Sequence, residues 1–137
     1  MLVRICLWKR IAFTILTATM ATAADAEDCC GPGSPFVMGE AYPEKAATCE
    51  TIGDWIDSAP DTDNRVSLAI RGKLIDVQWD GALAYLLMCD APGVQVLCVT
   101  YSKDGREIGD IVLFGGGYSR AGEKQIMLDP CLASLVD

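Results

Sequence analysis

The chain has 137 residues, no histidine, and a formal charge of −8 from 11 basic and 19 acidic residues. Without histidine, the Ser-His-Asp and Cys-His nucleophile systems, imidazole metal ligands and the ordinary neutral-pH switch are excluded. An excess of carboxylates works against non-specific binding to nucleic acid or anionic lipid, which runs on Lys and Arg.

The first segment has the pattern of an export signal. Arg4, Lys9 and Arg10 form a basic start, Ile11 to Met20 is apolar apart from its threonines, and Ala21-Thr22-Ala23 supplies the small residues that a signal peptidase reads. A cleaved signal over residues 1–23 is predicted, with Ala24-Asp25-Ala26 offering an alternative cut after 26. The apolar run is shorter than the roughly 20 residues a span requires, so no membrane span is expected after removal. Ala26-Glu27-Asp28 before Cys29 is not a lipobox. A periplasmic or secreted location follows. Cutting after Ala23 leaves eight basic and nineteen acidic residues, a charge of −11. Residues 24–64 hold ten of those acids against Lys45 alone, a balance of −9, which reads as a solvated face. Six cysteines remain, Cys29, Cys30, Cys49, Cys89, Cys98 and Cys131. An even number in a small exported chain reads as disulfides.

Residues 24–64 are expected to form an acidic arm and helix, and residues 65–137 a barrel. Over 27–40, Cys29-Cys30-Gly31-Pro32-Gly33-Ser34-Pro35 is rich in turn formers and predicts an irregular arm. Residues 43–57 predict a helix. Pro43 and Glu44 suit its first turn, and Ala46, Ala47, Cys49, Ile52, Trp55 and Ile56 recur at helical spacing. Asp61 to Asn64 is a loop.

From Arg65 the period changes to two. Val66, Leu68, Ile70, Gly72 and Leu74 alternate with Ser67, Ala69, Arg71 and Lys73, the pattern of a long strand with one buried face. Gly72 marks a bend or bulge. Asp76 to Gly81 is expected as a loop carrying Trp79. Leu83 to Cys89 and Val94 to Tyr101 are the second and third strands, joined by the turn Asp90-Ala91-Pro92-Gly93. A four-residue turn sets Cys89 opposite Val94 and Cys98 opposite Tyr85. Ile108 to Phe114 is a fourth strand, Gly115 to Gly122 a mobile loop, and Gln125 to Leu128 a fifth strand closed by Asp129-Pro130-Cys131. The fold class expected is mainly β: a five-stranded Greek-key barrel with an N-terminal helix, stapled by disulfides.

Three stretches carry a resemblance. "VSLAIRGKL" for the first strand, "YLLMCDAPGVQV" for the hairpin of strands two and three, and "GDIVLFGG" for strand four resemble an OB-fold. Together with the export signal they are similar to the small periplasmic bacterial OB-fold proteins, a helix plus a barrel without the usual helix between strands three and four. The resemblance covers about 65–130. It implies a fold in which strand three meets strand five, making a Cys98–Cys131 bridge geometrically plausible and leaving Cys89 to join Cys29, Cys30 or Cys49. It also implies a binding surface on strands two and three, flanked by the loops after strands one and four. Trp79, Tyr85, Tyr101, Tyr118 and Arg120 are the aromatic and cationic residues expected there. It carries over no catalytic residues.

No cofactor or metal is expected. No cysteines sit at C-x-x-C spacing, and the triple glycine lacks the Lys-Ser/Thr of a phosphate loop. The Asp61-Thr62-Asp63-Asn64 loop lacks the glycine and terminal Glu of an EF-hand. Asp76, Asp80 and Asp90 lie near strand ends, where aspartates usually hold turns. The expectation is a non-catalytic binding module for a protein or small ligand. The alternatives are an acidic regulatory or structural protein docking on a basic exported partner, and oligonucleotide or oligosaccharide binding by OB-fold analogy.

Overall fold

The computed structural model describes residues 30–102 and 104–136. The expected signal segment and Cys29 lie outside them. The element order is β1 (Phe36–Met38), β2 (Ala47–Thr48), α1 (Ile52–Ile56), β3 (Val66–Trp79), β4 (Ala84–Met88), β5 (Gln95–Thr100), β6 (Ile111–Gly122) and β7 (Gln125–Leu135). Among these residues no helix is long and apolar enough to cross a membrane.

β3, β4, β5, β7 and β6 form a closed five-strand circuit, because β6 pairs back to β3. All its pairings are antiparallel except β5 with β7, which are parallel. This is the OB order, and the described residues between β5 and β6 form turns rather than a helix. β3 serves both neighbours in succession. Residues Ser67–Lys73 pair with β6, then Leu74–Trp79 with β4. The changeover coincides with a bulge between Leu74 and Asp76. Gly72 therefore has a different task from the bend its position predicted. A Cβ there would sit 2.7 Å from Cys49 Sγ and 2.9 Å from Met88 Sδ, so the glycine admits a disulfide.

The inward set is Leu68, Ile70, Leu74, Leu86, Met88, Val96, Val112, Phe114, Ile126 and Leu128, each at most 1% exposed. At roughly 1.5–3 kcal/mol for each large side chain removed from water, this layer is the main source of stability. Cys98–Cys131 lies within it, across the point where the β5–β7 ladder ends at Cys98 and Leu128. Cys49–Cys89 ties the segment before α1 to the end of β4.

Several sequence expectations are corrected. The helix placed at 43–57 is confined to Ile52–Ile56. Residues 47–48 instead lie parallel to Ile70–Arg71, and the bridge from Cys49 anchors them there. The helix begins where Thr48 and Thr51 exchange hydrogen bonds: Thr48 N–H donates to Thr51 Oγ1 at 2.9 Å, and Thr51 N–H to Thr48 Oγ1 at 3.3 Å. The arm contains β1, paired to Val66–Leu68. β3 runs through the expected loop to Trp79, and β6 runs through Gly115–Gly122. β7 continues past Pro130 to Leu135. The β4–β5 register is shifted by one residue from that expected. Leu86 faces Cys98 and Tyr85 faces Val99. Cys89 leaves the ladder at φ 76° and Gly93 N–H closes a turn onto Asp90 O, so Val94 stays outside the pairing. With the shift, Cys98 is buried opposite Leu86 and no longer shares a face with Tyr85, since a one-residue slip reverses the face on which side chains meet.

Candidate functional site

The five residues expected to form one surface are distributed over three places. Tyr85 stands on the outer face of β4, and its phenol donates to Asp80 Oδ2 at 3.0 Å. Asp80 Oδ1 also accepts from the N–H groups of Ala82 and Leu83 at 2.8 and 2.7 Å. Those donors, led by Leu83, hold the Asp80 carboxyl below its usual range, while the same bond to Asp80 raises the Tyr85 phenol. Asp80 is thus a turn-holding carboxylate, not one poised to donate a proton. Asp76 is likewise engaged by Val77 N–H and Gln78 Nε2. Trp79 ends β3 opposite Ala84 and is 45% exposed.

Tyr118 and Arg120 belong elsewhere. Tyr118 packs edge-on against the buried Phe36 ring at 5.1 Å, and its burial raises the phenol, partly offset by Arg120. Arg120 donates to the carbonyls of Gly122 and Glu123 at 3.2 and 2.9 Å, fastening its own hairpin. The β5 ladder separates these residues from Trp79. Arg120 lies level with Ile126 and Val96, four residues of β5 short of Thr100, which adjoins Ala84, the partner of Trp79. Four steps of about 3.3 Å put roughly 13 Å of strand between them, and Tyr118, level with Leu128 and Cys98, packs instead on the Phe36 ring. Trp79, Tyr118 and Arg120 do not form one cluster.

Tyr101, 77% exposed just past β5, joins a different group. It lines a groove of about 600 Å³ with Tyr42 and Pro43 of the arm, Arg65 at the start of β3, and Pro130 and Leu132 of β7. That volume lies within the range of ordinary ligand pockets, about 300–1,000 Å³. Tyr42 and Leu132 are 46% and 66% exposed. Gly115, Gly116 and Gly117 form the floor. A Cβ at Gly115 would collide with the Tyr42 ring, and one at Gly116 with the Pro130 carbonyl. At Gly117 it would meet the Asp129 carbonyl at 2.8 Å. The triple glycine is thus strand backbone approached closely by the Tyr42 ring at Gly115 and by the neighbouring β7 backbone at Gly116 and Gly117. Around the rim, Glu40 pairs with Arg65 at 3.6 Å and Asp104 is exposed. Burial raises the Tyr42 phenol, keeping the ring a neutral hydrogen-bonding wall.

The sequence reading named Tyr101 here and missed Tyr42, Leu132, Arg65 and Glu40. A usable signal existed in Gly115-Gly116-Gly117 within a β-branched and aromatic run, since glycine in a strand marks close approach of another group. Among the described residues no group of three or more His, Cys, Asp or Glu side chains is placed to hold a metal ion. The chain matches no family model and no curated protein.

Proposed function

We propose that the chain is an exported, non-catalytic binding domain whose ligand seats in the groove walled by Tyr42, Tyr101 and Leu132. The observation that carries this reading is the gathering of those three exposed, large apolar side chains around one concavity of about 600 Å³. Exposed apolar side chains scattered singly need no explanation, whereas several lining one groove mark a contact surface. Export is supported by the signal-like start of the chain and by the disulfides Cys49–Cys89 and Cys98–Cys131, which persist in oxidising compartments. The absence of histidine and the engagement of Asp76 and Asp80 in turn hydrogen bonds weigh against acid–base chemistry.

The test is capture from a periplasmic extract with oxidised protein lacking residues 1–23. The Tyr101→Ala/Leu132→Ala variant is compared with Trp79→Ala/Arg120→Ala. A partner held by the wild type and the second variant but lost by the first supports the groove. A partner lost only with Trp79 and Arg120 would refute it. Both Tyr101 and Leu132 are more than half exposed, so their removal leaves the core intact.

A further inference from the structure

Taking the groove to be the binding site, we infer that the Cys49–Cys89 bridge is a redox latch on its Tyr42 wall, which a dithiol opens to release the groove's ligand. The first argument is how that wall is held. The Tyr42 ring lies over Gly115 of β6, on a stretch, residues 39–46, that belongs to no strand or helix and is strung between two anchors. At the upstream end Gly39 N–H donates to the Arg65 carbonyl and Ser67 Oγ donates to the Gly39 carbonyl, both at 2.7 Å. Downstream, β2 meets β3 over Ala47 and Thr48 alone, and the next residue is Cys49. Beyond it α1 is only 5 residues long, too short to hold itself in water. With the bridge open, the buried side chains of Pro43, Ala47, Ile52 and Ile56 must offset the ordering entropy of the whole stretch from Ala41 to Asp57.

The second argument is access. Cys49 is partly exposed and lines a cavity of about 370 Å³ with Gly53, Ile56 and Val94, and another of about 450 Å³ with Gly72 and Cys89. Cys89, Cys98 and Cys131 are each at most 4% exposed. A thiolate entering the first cavity, whose walls do not include Cys89, meets Cys49 Sγ. It forms a mixed disulfide with Cys49, and Cys89 leaves as a thiolate that takes up a proton. The second thiol of the reductant then closes its own disulfide and frees Cys49, so the dithiol is oxidised by two electrons and the bridge is reduced to two thiols. Cys89 stands at φ 76°, a conformation costly outside glycine, and its release lets that backbone relax. Exposed bridges are the labile and regulatory ones.

The test compares oxidised protein lacking residues 1–23 with the same protein in the least dithiothreitol that lets Cys49 and Cys89 be alkylated. The variant Cys49→Ser/Cys89→Ser holds the latch open with Cys30 and Cys98–Cys131 still bridged. Hydrogen exchange read by mass spectrometry is expected to speed up about tenfold over residues 41–48 in both open forms, with the barrel strands still protected. Reoxidation should restore the slow rate. Unchanged exchange would overturn the latch, and so would loss of protection throughout the barrel, which would make the bridge a staple of the whole fold. A partner captured from periplasmic extract by the oxidised protein should elute with the same dithiothreitol. A partner that stays on the reduced protein but is lost by Tyr101→Ala/Leu132→Ala would overturn the latch and leave the groove standing. A partner retained by that double variant, or none captured by the oxidised protein, would overturn both.

Discussion

At the scale of single residues, glycines and one aspartate carry more of the structure than their type announces. Gly116 lies against the Pro130 carbonyl, which is fixed backbone, so Gly116→Ala should destabilise the fold by about 1–3 kcal/mol, as overpacking does. Urea unfolding measures this as a lowered midpoint with little change in slope. Gly115→Ala meets instead the ring of Tyr42, a half-exposed side chain that is free to swing outward. Its effect should fall on the groove, with the Tyr42 phenol titrating closer to the usual tyrosine value in an ultraviolet pH titration once its burial is relieved. Asp80 makes a pH prediction of opposite sense. Its carboxyl is held below the ordinary value in the folded chain, so its contribution is present above the unfolded value of about 3.9 and is lost as pH falls through the folded value. Asp80→Ala should therefore lower the melting temperature at neutral pH and flatten its decline on the acid side below about pH 4. A melting curve series whose acid limb is unchanged by the substitution would remove Asp80 from this role.

At the scale of elements, the disulfides Cys49–Cys89 and Cys98–Cys131 differ in access. Cys98 and Cys131 are 0% and 3% exposed, whereas Cys49 is partly exposed and lines the cavities on either side of it. A mild reductant should therefore open Cys49–Cys89 first, and alkylation followed by mass spectrometry should label Cys49 and Cys89 before the other pair. Replacing Cys98 and Cys131 by serine frees a link spanning 33 residues, at a cost of about 3–4 kcal/mol from chain entropy. The same elements show what the sequence made legible. Alternation located the cores of all five barrel strands, because one buried face imposes a period of two wherever it exists. The OB resemblance implied that the third and fifth barrel strands meet and made a Cys98–Cys131 bridge plausible; the structure contains both, with β5 and β7 parallel. Strand ends were not legible. β6 crosses Gly115–Gly122, where glycine composition imitates a loop but steric contact with Tyr42 and β7 demands it. The helix was overextended for the converse reason. Residues 46–49 have helical spacing, yet pairing with β3 and the Cys49 bridge, both long-range, set their backbone. The site shared this fate. Tyr101 was visible as an aromatic at a strand end, but Tyr42 reaches it only because β1 returns the arm along β3.

At the scale of the whole molecule, closure depends on the last strand. β7 is the strip between β5 and β6, so without it β5 and β6 each lose a partner and the circuit opens. The pairings that close it, β3 with β6 and β5 with β7, join segments distant in sequence, which places folding in the slow millisecond-to-second class of small β domains. A chain ending at Asp129 keeps only the first half of β7 and loses Cys131, and it should show neither a cooperative thermal transition nor near-ultraviolet dichroism. The arm behaves differently under the same reasoning. A chain beginning at Gly39 loses β1 and the Phe36 ring beneath Tyr118, and β3 loses its partner over Val66–Leu68, but all five strands of the circuit remain. Phe36 is 1% exposed, so its loss should cost about 3–5 kcal/mol, lowering the transition without abolishing its cooperativity. Calorimetry on the two truncated chains measures whether the circuit is the folding unit and the arm an attachment to it. A cooperative transition in the chain ending at Asp129 would show that closure does not need the second half of β7, and none in the chain beginning at Gly39 would show that arm and barrel form one unit. In that case the wall carrying Tyr42 would be as fixed as the strands it faces.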